Sequence, residues 1–274
     1  MVKTDGGVMK KYYSVPLLVS LAVLCASCST VPLTGRSQLT FMPESQMVTM
    51  AVSQYEEVKN TTPISANKGQ TAMVKNAGDR ISRAVEEYMK ANGMGDRIKH
   101  FQWEYNLFEK DEANAWAMPG GKIAFYTGIM DVCENETGVA VVMSHEVAHV
   151  VAKHGSERYS QNILAAAGGL AVGAATKDSE NQAAWLAAYG VGANVGVLLP
   201  YSRHHESEAD RMGLIFMAMA GYDPHAAVDF WKRMSDLSAG QSPPELLSTH
   251  PAHETRIERI QEALPEALKY YRKP

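Results

Sequence analysis

Three side chains on one apolar segment define the chemistry open to this sequence. They are His145, Glu146 and His149, set in Val139-Ala-Val-Val-Met-Ser-His-Glu-Val-Ala-His-Val-Val151. The run is apolar on nearly every side, which predicts a buried helix, so the three polar groups inside it must find partners. Left unpaired, each costs roughly 1–3 kcal/mol. A metal ion satisfies them directly. Residues four apart share a helix face, so both imidazoles can reach one Zn²⁺ at about 2.0–2.1 Å. Glu146, ~100° further round, can reach a water held by that ion. H-E-x-x-H is the spacing of zinc hydrolases. A self-satisfied buried His–Glu–His cluster is the structural alternative.

A catalytic zinc needs a third protein ligand and an open position. The metzincin pattern fails, because Ala152 and Gly155 stand where it requires glycine and histidine. His154 falls ~140° round from His149, outside the metal's reach in a straight helix. The better candidate lies in Ser202-Arg-His-His-Glu-Ser-Glu-Ala-Asp210, at the start of a helix expected to run to Gly221. There Glu206 can ligate while Asp210, one turn on, accepts the outer N–H of a ligating histidine. Glu208, His204 and His205 read as surface residues.

The rest of the chain must hold these groups in place. Its 274 residues are 46% hydrophobic and carry a net charge of −4, from 26 basic against 30 acidic side chains. That excludes a disordered chain and gives no global field for nucleic acid. Lys10 and Lys11 precede an apolar run, Val15 to Leu24, that ends in Cys25-Ala-Ser-Cys28. The run is about half the ~20 residues of a membrane span, so 1–27 reads as a secretory signal. Its ending resembles a lipobox with Cys28 as the lipidated residue; an ordinary signal peptide is the alternative. Cys133 is then the one mature thiol besides the anchor, a small buried residue. Residues 28–42 read as a lipid-anchored tether and 43–274 as the working domain. Helices are expected from Pro43-Glu44 and over 69–91, where Met73, Ala77, Ile81, Ala84, Val85 and Tyr88 keep helical spacing. Strands are expected around Trp103, Tyr105 and Leu107 and, after the turn Pro119-Gly-Gly121, over 122–127. From 134 the chain reads helical, with Gly155 stopping the H-E-x-x-H helix. The Ala/Gly-rich stretch 162–199 is either a hairpin packed on the core or a surface that meets lipid or apolar substrate.

His145-Glu-Val-Ala-His149 and Glu206-x-x-Ala209-Asp210 together resemble metallopeptidase family 48, the gluzincins that include HtpX and the CaaX prenyl protease. Thr34-Gly35-Arg36, Asn114-Ala-Trp-Ala-Met-Pro-Gly-Gly121 and Thr249-His250-Pro251 with Glu254-Thr255-Arg256 are similar to its bacterial lipoprotein branch, that of BepA and LoiP. The likeness covers 34–262; the transmembrane helices of HtpX-type members and the repeat domain of BepA have no counterpart in it. It implies an α+β, mostly helical, zincin-like domain with a small antiparallel sheet. One Zn²⁺ per subunit would be held by His145, His149 and Glu206, with Glu146 as catalytic base and Asp210 behind the ligands. His250 would be a fourth ligand or gate, set against a plain loop residue, and Arg256 would hold that loop or steady an oxyanion. Strand 122–127 would take an extended peptide as an added strand, or be a plain core strand. The expected function is a zinc metalloendopeptidase, exported and lipid-anchored at Cys28 on the periplasmic face of the outer membrane. It would degrade or process unfolded or misfolded envelope proteins, touching membrane through its lipid and no nucleic acid. A chaperone-like binding module with a structural zinc is the competing reading, which the intact Glu146 disfavours.

Overall fold

A computed structural model of the protein describes residues 28–238, 246–247, 250 and 255–272. The expected signal peptide and most of the loop around His250 lie outside these residues.

Helix α1 (Glu44–Thr61) is followed by α2 (Lys68–Ala91), which opens where Asn67 Oδ1 accepts the N–H of Gln70 at 3.1 Å. That cap satisfies one of the donors left free at a helix start. Helix α2 buries Val74, Ala77, Ile81, Val85 and Met89; Ala77, Ile81 and Val85 belong to the expected stripe, whose other members, Met73, Ala84 and Tyr88, are partly buried against the core.

Three strands follow, β3 (Glu104–Phe108), β4 (Ala115–Met118) and β5 (Lys122–Tyr126), in the order β3-β5-β4. The β4–β5 pair is antiparallel and turns at Gly120 and Gly121, whose φ values of 84° and 87° suit glycine. The β3–β5 pair is parallel, so the sheet is mixed where a wholly antiparallel one was expected. The order also corrects the peptide-pairing expectation for 122–127. Strand β5 is central and its ladders are used on both sides, whereas β4 is an edge among the described residues.

Helix α3 (Glu136–Val151) starts at Asn135, whose Oδ1 accepts the N–H of Gly138, and is buried from Gly138 to its end. Gly155 is not its stop. Lys153 takes the left-handed conformation (φ 57°) and α4 (His154–Ala175) begins directly after it. Helix α5 (Gln182–Ala193) continues through a π-helical turn at Asn194–Leu198 into α6 (Leu199–Met219). Helix α6 crosses α3 almost backbone to backbone. A Cβ on Gly213 would lie 3.1 Å from the His145 nitrogen, tighter than a Cβ ordinarily packs against backbone, so glycine eases this approach. Helices α7 (Ala226–Ser238) and α8 (Arg256–Ala267) close over the pair, and Cys133 is buried beneath them as expected.

Two segments depart from expectation. Residues 28–42 do not form a free tether. Strands β1 (Cys28–Thr30) and β2 (Ser37–Leu39) pair as a hairpin, and Val31 is 2% exposed in the core. The stretch 162–199 is a helical hairpin that packs on itself, with the Tyr189 hydroxyl donating to the Ala165 carbonyl at 2.7 Å. Its outer faces are bare: Leu170 is 77% and Trp185 57% exposed. The continuous helix Gln182–Met219 contains an 18-residue window long and apolar enough to cross a membrane, and none of that window is buried.

Candidate metal centre

Four buried ligand atoms, one each from His145, His149, Glu206 and His250, lie within 4.8 Å of one another. His145 Nε2 is 3.0 Å from His149 Nε2, 3.2 Å from His250 Nδ1 and 3.2 Å from Glu206 Oε2. Glu206 Oε2 is 2.9 Å from His250 Nδ1, and Glu206 Oε1 is 3.4 Å from His149 Nε2. Neutral imidazole nitrogens have one proton or one lone pair each, so His145 Nε2 cannot satisfy three such neighbours at once. A cation can. A tetrahedron with metal–ligand distances of ~2.0–2.1 Å has edges of ~3.3–3.4 Å, close to the spacings found. The donor set of three imidazoles and a carboxylate fits a divalent metal of the zinc type.

Each histidine of the H-E-x-x-H motif is backed from behind. His145 Nδ1 lies 3.0 Å from Asp210 Oδ1, and Arg256 Nη2 donates to the same oxygen at 2.7 Å. Burial opposes charge on His145, but Asp210 and Glu206 outweigh it and raise its pKa to about 9 without a metal. Arg256 is itself buried, lies over the Trp231 ring and donates from Nη1 to the His250 carbonyl at 3.3 Å.

The other side corrects three residues read as remote. His154 is the first residue of α4, yet its Nδ1 sits 2.8 Å from the outer Nδ1 of His149. Its Nε2 is 3.0 Å from Glu208 Oε2, and its ring stacks on His205. Glu208 and His205 are therefore buried, not surface, because α6 presents them toward α4 and the amino-terminal hairpin. Arg36 bridges Glu157 and Glu208, and His205 Nε2 lies 2.9 Å from Glu157 Oε2. Burial drives His154 down to about 4 despite its bond to Glu208. Burial alone would raise Glu157 and Glu208, but their hydrogen bonds outweigh it and hold each at about 2. This cluster had one sequence signal, Thr34-Gly35-Arg36, which carried no role.

Glu146 is 1% exposed, its Oε1 has no hydrogen-bond partner, and His250 Nε2 stands 3.3 Å from it. Burial raises its pKa. It borders a cavity of about 200 Å³ lined also by His149, His250, Arg158 and the β4 stretch Trp116–Gly120.

Comparison with known proteins agrees with this geometry. The family model for peptidase family M48 matches residues 76–264. The mitochondrial metalloendopeptidase OMA1 of Schizosaccharomyces pombe is 38% identical over 189 residues, covering 68% of this chain and 53% of that protein. Metalloendopeptidase OMA1, mitochondrial, of Homo sapiens is 26% identical over 249 residues, 87% of this chain and 46% of its own length. The beta-barrel assembly-enhancing protease of Escherichia coli K12 is 26% identical over 238 residues, with 84% and 46% covered. The chain spans about half the length of these three relatives. The mitochondrial relatives, from yeasts, a plant and mammals, overturn the expectation of a chain exported and lipid-anchored at Cys28 on the outer membrane. That expectation rested on a basic pair, a short apolar run and small residues, and composition of this kind does not fix the membrane addressed.

Proposed function

This chain belongs to peptidase family M48, and on that premise we propose that it is a zinc-dependent endopeptidase that cuts unfolded or misfolded protein chains in quality control. One observation carries the reading: buried donors from His145, His149 and Glu206 converge beside Glu146, whose Oε1 has no hydrogen-bond partner, at the wall of a cleft. Two histidines and a glutamate make a catalytic donor set with one position to spare. Zinc bound there supplies Lewis acidity that makes water a nucleophile near neutral pH. Glu146 takes the proton of the attacking water and returns it to the leaving amine. Its raised proton affinity suits a base that must hold a proton between two steps. Asp210 holds the His145 ring with Nε2 facing the other donors, where it would ligate the metal.

His250 is the displaceable fourth donor. Its Nδ1 would complete a four-donor set around a bound metal, and its withdrawal would leave a position for water. An extended substrate pairs along the edge of β4, reading backbone more than side chains, which fits an unfolded client. The hairpin 162–199, whose second helix carries an unburied window long and apolar enough to cross a bilayer, is the surface that fits a membrane partner.

Degradation of unfolded casein, with and without a chelator, tests the reading together with Glu146→Gln. That variant should keep its metal and lose at least ~10²-fold in rate, the scale of general-base catalysis. A chaperone-like module would instead bind casein, leave it intact and be indifferent to the substitution. Parental cleavage by Glu146→Gln would end the assignment.

A further inference from the structure

The motif Thr34-Gly35-Arg36 lies outside the family-matched region, which begins at residue 76, and the peptidase chemistry leaves it without a role. It forms the end of the tight turn between β1 and β2, where Gly35 N–H donates to the Val31 carbonyl at 2.9 Å and Gly35 has φ 68°. The turn aims two side chains inward. The Arg36 guanidinium grips Glu157 in bidentate fashion, with Nη1 at 2.9 Å and Nη2 at 2.8 Å. Its Nε donates to Glu208 Oε2 at 2.9 Å, and the Thr34 hydroxyl donates to Glu208 Oε1. Both carboxylates are 3% exposed at the side chain.

Beyond Glu208 the contacts run in single file to the metal cluster. Glu208 Oε2 meets His154 Nε2 at 3.0 Å, and His154 Nδ1 meets His149 Nδ1 at 2.8 Å. The proton positions follow from the roles. If His149 offers the lone pair of Nε2 to a metal, its proton sits on Nδ1 and is donated to His154 Nδ1. His154 must then carry its own proton on Nε2, where the Glu208 carboxylate accepts it. Arg36 and Thr34 fix that carboxylate, and the stacked His205, bonded to Glu157, holds the His154 ring plane.

We infer that Arg36, with Thr34, is a positioning residue for the metal: acting through Glu208 and His154, it fixes the tautomer and ring orientation of His149. The amino-terminal hairpin is thereby part of the metal centre rather than a leader to it. The inference rests on the reading of His149 as a ligand.

Zinc affinity of the metal-free protein, measured by competition with a chromophoric chelator, tests it. Substitutions behind metal-ligating histidines typically weaken binding ~10–100-fold, and Arg36→Gln should fall in that range. The visible absorption of the cobalt-loaded variant should change as His149 is released, a signature that a purely structural role would leave alone. Arg36→Gln leaves two buried carboxylates uncompensated, so the double variant Arg36→Met with Glu208→Gln is measured beside it. Circular dichroism identifies which variants fold. A folded variant with parental zinc affinity and an unchanged cobalt spectrum would overturn the inference. If the single variant does not fold, the double variant decides by the same criterion, and failure of both to fold would make Arg36 a folding determinant and overturn it too. His149→Ala separates the two readings. Parental zinc binding by that variant removes the metal assignment itself, whereas its loss beside intact binding by Arg36→Gln removes only the positioning role.

Discussion

The two histidines of the metal motif are supported from opposite sides in different ways. His145 leans directly on a carboxylate, Asp210, which lies on the helix that also supplies Glu206 and is pinned by Arg256 from the carboxy-terminal side. His149 leans on another imidazole, His154, and reaches a carboxylate and an arginine only through it. Both chains end in a guanidinium, but one draws on two helices, α6 and α8, and the other on α4, α6 and an amino-terminal hairpin. Direct carboxylate support raises the electron density at the ligating nitrogen most, while an interposed imidazole mainly sets orientation. The His145 side should therefore matter more for metal affinity.

Asp210→Ala is the sharpest way to break that comparison. It removes the carboxylate behind His145 and leaves Arg256 with Glu206, at 3.7 Å, as its carboxylate contact beside the cluster, so zinc affinity should fall toward the ~100-fold end of the usual range. Chelator competition that finds the Arg36 substitution more damaging than Asp210→Ala would reverse the ranking. His250→Ala probes what the Arg256 side also holds. Loss of the fourth donor should leave zinc bound and raise basal cleavage of an unfolded substrate several-fold. Activity lost with zinc retained would recast His250 as a group that stabilises the transition state.

Glycine 213 tests the crossing that unites both sides. A methyl there meets the backbone of His145 at 3.1 Å, and a buried helix backbone cannot yield as a side-chain tip can. Gly213→Ala should cost about 1–3 kcal/mol, as overpacking does, and should weaken zinc binding as Glu206 is pushed back. Denaturant unfolding checks the first part and chelator competition the second.

The direct side of the site was readable from sequence because it obeys helix spacing. His145 and His149 are four apart, Glu206 and Asp210 are four apart, and one face explains each pair. The relay side was not. It depends on Lys153 breaking the helix, so that His154 turns back toward His149 instead of continuing round a straight helix. It also depends on Arg36 lying far along the chain from Glu157 and Glu208, a long-range pairing that no local pattern encodes. The strand error has the same origin. A run of apolar residues predicts β5, but its central place beside parallel β3 is set by pairing across the fold.

Acid sensitivity probes the relay, beside Glu206 and Asp210 whose carboxyls are held low as well. Glu157 and Glu208 are held at about 2 in the fold, against ~4.3 for an unfolded glutamate. The unfolded chain thus binds more protons between those values. The stability that these groups contribute is present above pH ~4.3 and lost as pH falls toward 2. Metal-free protein should lose stability over that window, and Arg36→Gln, which keeps the His205 and His154 bonds but lacks the cation shared by both groups, should show a shallower loss. Parallel pH profiles for the two proteins would remove Arg36 as the cause.

The smallest effect on stability is expected where the sequence looks most apolar. Leu170 and Trp185 stand on the outer faces of the hairpin, 77% and 57% exposed, with water on the side that a core residue would fill. Substituting them by glutamine removes no buried contact, so thermal stability should stay within ~0.5 kcal/mol of the parent. Lipid association responds to a different quantity. Apolar area transferred from water into a bilayer is worth roughly 25 cal/mol per Å², so two large side chains contribute appreciably to binding while contributing little to folding. Flotation with phospholipid vesicles should accordingly recover the parent protein and much less of the double variant. A variant that unfolds more readily and floats as before would show that these faces are packed within the protein, and that the hairpin belongs with the core helices after all.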